Sequence, residues 1–141
     1  MDYIRNPQLI ETESFKIIQG IIDQEFPDYI FSSTKEEKII KRVIHTSADF
    51  DYLKNLVFSN DVISELEKFF LGGDGTIFTD TTMALSGINK RLLDKLGIRY
   101  ECYIADPEVA EQAKAKGMTR SMAGIERAAT ISGPKLFVIG N

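Results

Sequence analysis

The stretch Gly72-Gly73-Asp74-Gly75-Thr76-Ile77-Phe78-Thr79-Asp80 decides the fold. Residues 76–79 are short and β-prone, follow a glycine-rich turn and precede a helical pattern from Thr81 to Leu96 that Gly97 closes. Ile98 to Ala105 then reads as a second strand, and Asp106-Pro107 as a helix cap followed by proline at the first helical position. That helix extends to Lys116, another opens at Thr119, Ser132-Gly133-Pro134 breaks it, and Lys135 to Ile139 forms a third strand. Strand, helix, strand, helices, strand predicts an α/β fold with a mostly parallel sheet flanked by helices. In such sheets ligands collect beyond the carboxyl ends of the strands, which here fall at Asp80, Asp106 and Gly140-Asn141. Asp80 and Asp106 suit helix caps better than catalytic acids, although both lie at that edge. The glycine-rich turn is no P-loop, because it lacks the Lys-Ser/Thr pair and precedes its strand.

Upstream lies an N-terminal helical segment. From Pro7 to Phe26 the residues Leu9, Ile10, Phe15, Ile17, Ile18, Ile21 and Ile22 recur at helical spacing, with Ser14 beside the stripe. Thr34-Lys35-Glu36-Glu37 has the form of a capping box for a second helix that turns Ile39, Ile40, Val43 and Ile44 inward. A third helix from about Asp61 to Leu71 buries Val62, Leu66, Phe69 and Phe70 and stops at Gly72-Gly73.

The 141 residues suit one domain, and 43% hydrophobic with 27% charged residues excludes disordered and fibrous classes. Cys102 is the sole cysteine, so it can form no intramolecular disulfide and no multi-cysteine zinc site. No apolar run is long enough for a secretory core or a transmembrane helix, which predicts a soluble, cytoplasmic protein without a membrane partner. A net charge of −4 argues against a general nucleic-acid binder.

His45, the one histidine, rules out multi-histidine metal sites and is the side chain whose ordinary titration range lies near neutrality. Helix-end histidines often do no more than satisfy a carbonyl. However, Arg42 precedes His45 by three residues and Asp49 follows by four, so a helix continuing that far would place all three on one face. Asp49 would then orient the ring and favour imidazolium, and Arg42 would oppose it. Thr119-Arg120-Ser121 combines two hydroxyls, a guanidinium and the free N–H groups of a helix start, which suits a carboxylate or phosphate; a plain N-cap with a solvated arginine is the simpler alternative. Ser14 has no base near it in sequence, so hydrogen bonding fits it better than nucleophilic attack.

Glu13-Ser14-Phe15, Arg42-Val43-Ile44-His45 with Asp49-Phe50, Thr79-Asp80 with Met83 and Gly87-Ile88, Gly117 with Thr119-Arg120-Ser121, and Val138-Ile139-Gly140-Asn141 together resemble the precorrin-8X methylmutase family in order and approximate spacing. The resemblance implies an isomerase of cobalamin biosynthesis that moves a methyl group from C11 to C12 of precorrin-8X, or of cobalt-precorrin-8, with no redox or organic cofactor and no metal site of its own. It places the family's histidine proton donor and acceptor on His45, its substrate-contacting serine on Ser14 and its arginines on Arg42 and Arg120. The substrate's ring of carboxylates would explain such arginines in an acidic chain. A homodimer is also implied. Thr82 departs from the glutamate or asparagine expected before Met83, and the family continues past Gly-Asn into a Pro-Thr-Ala-Leu segment, so the single domain over residues 1–141 reads as incomplete at its C-terminus. A non-catalytic corrinoid binder descended from the mutase, or an unrelated α/β small-anion module, are the alternatives.

Overall fold

The computed structural model describes residues 6–140. Its elements run α1 (Pro7–Glu25), α2 (Thr34–Ser47), α3 (Tyr52–Asn55), α4 (Val62–Gly72), β1 (Thr76–Thr79), α5 (Thr82–Gly87), α6 (Lys90–Leu96), β2 (Arg99–Glu101), α7 (Pro107–Lys116), α8 (Arg120–Thr130) and β3 (Lys135–Val138). The α/β class and the parallel sheet agree with the sequence reading. The chain divides into two compact units, one up to Ile63 and one from Ser64 onward.

In the first unit, Ile18 and Ile22 of α1 pack with Ile40 and Ile44 of α2 and with Leu53 of α3. Phe15, Phe26, Tyr29, Phe31 and Phe50 close around this core. The inward stripe of α1 is narrower than its apolar composition suggests, since Leu9, Ile10 and Ile17 remain 53%, 45% and 64% exposed. The N-cap of α2 is Ser33 and not Thr34: the Ser33 hydroxyl accepts the Glu36 N–H at 3.2 Å, so the cap sits one residue earlier, and the Glu36 carboxylate accepts from the Ser32 hydroxyl at 3.3 Å. The short helix α3, which has no counterpart in the sequence reading, brings Leu53 into the core.

In the second unit the sheet order is β2-β1-β3, and both pairings are parallel. Central β1 is buried along its length. Ile77 faces Leu93, Ile98, Leu136, Val138, Phe69 and Phe70, which puts α4 and α6 on that side. The opposite side carries Phe78, stacked near Phe137 with centroids 5.8 Å apart and tilted against Tyr103 at 5.9 Å. Val109, Ala113 and Ala123 pack with Tyr103 and Met118 and join α7 to α8. A Cβ on Gly75 would run into the Phe69 ring, so that ring would have to shift to admit any other residue. Gly97 has φ +71°, and a Cβ on it would lie 2.7 Å from the Gly73 carbonyl oxygen.

Two elements differ from expectation. The helix anticipated over Thr81–Leu96 breaks at extended Ile88, after which Asn89 caps α6 by accepting the Leu92 N–H at 3.1 Å. The second strand ends at Glu101, because the chain then turns, with the Asp106 N–H on the Tyr103 carbonyl, to start α7. No helix among the described residues is long and apolar enough to cross a membrane. Ser33→Ala is expected to lower stability by about 1 kcal/mol and Thr34→Ala by less than half of that, as read from urea unfolding midpoints.

Candidate functional site

In the first unit, Glu11, Ser14 and Phe15 lie one turn apart on one face of α1, and Arg42 and Ile44-His45 lie on α2. The pairs that form cross between the helices. Ser14 Oγ and His45 Nδ1 are 2.6 Å apart. The Arg42 guanidinium donates to the Glu11 carboxylate and lies over the Phe15 ring, 5.5 Å from its centroid. Phe15 meets His45 edge-on at 6.2 Å. One aromatic ring thus borders both the Arg42 guanidinium and the His45 imidazole.

Asp49 does not join this cluster. α2 stops at Ser47, Ala48 adopts φ 55° and the Asp49 carboxylate accepts the Asp51 N–H at 2.8 Å. The partner that meets the ring is therefore a hydroxyl and not a carboxylate, and the difference is chemical. A serine hydroxyl both donates and accepts, so it can satisfy Nδ1 whether the ring is neutral or protonated. Nε2 is then the nitrogen left to exchange a proton with a ligand. A carboxylate would instead have favoured imidazolium.

Glu11 was not singled out by the sequence. Its signal is the matched spacing of Glu11-x-x-Ser14 against Arg42-x-x-His45, which pairs an acid with a base and a hydroxyl with an imidazole across two helices. The hydrogen bond from Arg42 is the main cause that holds the Glu11 carboxyl below the usual glutamate range, with the positive charge of Arg42 adding to it.

In the second unit, Asp80 is 4% exposed at the end of β1. It does not cap α5; Thr81 does, accepting the Ala84 N–H at 3.2 Å. The Asp80 carboxylate accepts the Gly140 N–H at 2.8 Å, and the Ser121 hydroxyl donates to the Asp80 carbonyl at 3.0 Å. This aspartate therefore ties the ends of β1 and β3 to the first turn of α8. A cleft of about 350 Å³ opens there, lined by Asp80, Ser121, Met122, Ile125, Glu126 and Ile139. Met122 and Ile139 are 54% and 59% exposed and give it an apolar wall that the sequence reading did not anticipate. Thr119 is the N-cap of α8, accepting the Met122 N–H at 3.2 Å. Arg120 is exposed and borders a separate cleft of about 450 Å³ with Lys114, Glu111 and Met118. Asp80 and Ser121 are brought together, whereas Arg120 points into a different cleft.

Asp106 caps α7 through the Glu108 and Val109 N–H groups and is also paired with Arg127 at 2.7 Å. Arg127 lies over the Tyr103 ring at 4.8 Å. Burial, with a hydrogen bond to Glu101, pushes the Tyr103 phenol up to about 12. Asn141 lies outside the described residues. Among the described residues, no group of three or more His, Cys, Asp or Glu could hold a metal ion.

A carboxyl titration by NMR tests the Glu11–Arg42 pair. Its depressed value means the pair is intact above the ordinary glutamate range and is lost as the pH falls through the lower folded value. Arg42→Met should return the Glu11 midpoint upward to the ordinary range; an unchanged midpoint would show that Arg42 does not hold it.

The sequence profile of the precorrin-8X methylmutase family (CbiC) matches residues 9–141. The cobalt-precorrin-8 methylmutase of Salmonella typhimurium is 54% identical over 142 residues, covering 100% of this chain and 67% of that protein. The protein of the same name from Methanocaldococcus jannaschii is 35% identical over 94% of this chain and 60% of its own length. A crystal structure of precorrin-8X methylmutase from Thermus thermophilus superposes with a TM-score of 0.73 at 32% identity, covering 95% of this chain and 62% of that one. The chain spans 57% to 67% of the length of five curated relatives that it matches. By profile, by sequence identity and by fold alike, the chain belongs to the precorrin-8X methylmutase family.

Proposed function

We propose that this chain carries the proton-transfer and carboxylate-binding groups of an isomerase of cobalamin biosynthesis, which moves a methyl group from C11 to C12 of precorrin-8X or cobalt-precorrin-8. The observation that carries the reading is the 2.6 Å contact between Ser14 Oγ and His45 Nδ1 on an exposed histidine. His45 lends a proton to the conjugated macrocycle, the methyl group migrates, and the proton returns. Composition is unchanged, as an isomerisation demands. Ser14 keeps one ring nitrogen occupied in both protonation states, so the transfer runs through Nε2.

Arg42 and Arg120 bind acetate or propionate carboxylates of the substrate, the bidentate chemistry that a guanidinium does best. Thr119, Ser121 and Asp80 shape the carboxyl end of the sheet, where Met122, Ile125 and Ile139 offer apolar surface to a flat ring. A homodimer in the cytoplasm, with one such domain in each subunit, completes the reading. The match across residues 9–141 sets aside an unrelated anion-binding module.

A corrinoid-binding protein without catalysis is the competing possibility, and His45→Ala separates the two. The variant should lose about 10²- to 10⁴-fold in the rate of hydrogenobyrinate or cobyrinate formation while still binding the corrinoid, as read from visible absorbance. Full turnover by His45→Ala would remove the catalytic role.

A further inference from the structure

We propose that Glu11 is a built-in stand-in for a ligand carboxylate, occupying the Arg42 guanidinium until an anionic ligand displaces it. This rests on the reading of Arg42 as a carboxylate-binding residue. Glu11 and Arg42 are 31 residues apart in sequence, so their pairing is a product of the α1–α2 packing and not of local helix spacing. Both side chains are about half exposed, at 41% and 53%, so a ligand can reach the pair without opening the core. The neighbouring groups fix the geometry: Phe15 lies under the guanidinium, and Ser14, one turn along α1 from Glu11, holds His45. Glu11 therefore presents to Arg42 the same chemical group that a propionate side chain would bring, beside the same histidine.

The exchange is easy because exposed ion pairs are weak, rarely worth more than about fivefold in an equilibrium constant, whereas a ligand carried by several other contacts spends only part of its affinity on this step. Glu11 also repels an incoming carboxylate until it swings away. Both effects make the wild-type site bind anions less tightly than its cations allow, which favours release of a product with the same carboxylates as the substrate. The depressed titration of Glu11 fits a carboxylate that keeps its charge, and hence its hold on Arg42, throughout the neutral range.

Two probes test this on the protein as it stands: hydrogenobyrinate, followed by visible absorbance, and citrate, followed by the NMR signals of the Arg42 side chain. Glu11→Gln should tighten binding of both about three- to tenfold. Glu11→Ala, which keeps helix propensity, gives a second variant with the same expectation. Glu13→Gln removes the same charge from α1 but from a residue paired with Lys16, and should change affinity less than about twofold. Citrate bound no more tightly by the Glu11 variants than by the wild type, or equally tightened by Glu13→Gln, would overturn the proposal. If citrate tightens as expected while hydrogenobyrinate binds none of the proteins, carboxylate exchange at Arg42 stands and the corrinoid reading fails.

Discussion

Everything at the first cluster depends on the register in which α1 lies on α2. Ile18 and Ile22 must be buried against Ile40 and Ile44, each of which is 6% exposed or less. Burying such side chains is worth about 1.5–3 kcal/mol each, far more than any surface pair contributes. With that register set, the turn of α1 preceding Ile18 presents Ser14 and Phe15, and the turn before that presents Glu11. On α2, Ile44 is followed directly by His45 and preceded by Arg42. The apolar contacts therefore choose which polar groups meet, and the polar contacts refine their orientation. A slip of one residue in either helix would move Ser14 off the imidazole.

The second unit solves a similar problem differently. Its sheet has three short parallel strands, and a side chain ties the carboxyl ends of two of them together. Asp80 does this with a buried carboxylate on the Gly140 N–H and a carbonyl that takes the Ser121 hydroxyl. Burying a carboxylate is costly unless it is hydrogen-bonded, so the bond to Gly140 is as much a condition of the burial as a consequence. The result is a fixed rim around the cleft in which Met122 and Ile139 stand exposed.

Much of this was legible in the residues. Helical periodicity places α1, α2 and α4 and β-prone runs place the three strands, because these patterns report burial directly, while α7 and α8 are marked by their caps and breakers, Asp106-Pro107, Thr119 and Ser132-Gly133-Pro134. Tertiary pairing was less accessible. Asp49 is a natural partner for His45 by helix spacing, yet α2 ends two residues earlier, at Ser47, and is followed by a left-handed Ala48 where no glycine announces the stop. Ser14, 31 residues away, takes the place instead, a contact that no local rule anticipates. The break at Ile88-Asn89 was equally hidden, since Leu85, Leu92 and Leu93 continue an apolar rhythm across it while Asn89 acts as a cap. Spacing and the helix start single out Arg42 and Arg120, and family resemblance adds a substrate-contacting role for Ser14, but neither anticipates that Glu11 occupies Arg42.

Under the proposed function Ser14 acts on the chemistry only through His45, and a double-mutant cycle in methylmutase turnover measures that dependence. Ser14→Ala should slow the wild-type enzyme about tenfold, with kcat falling and KM little changed, and should have no further effect once His45 has been replaced by alanine. Equal losses from Ser14→Ala in both backgrounds would mean that the two residues act independently and that Ser14 does not work through His45.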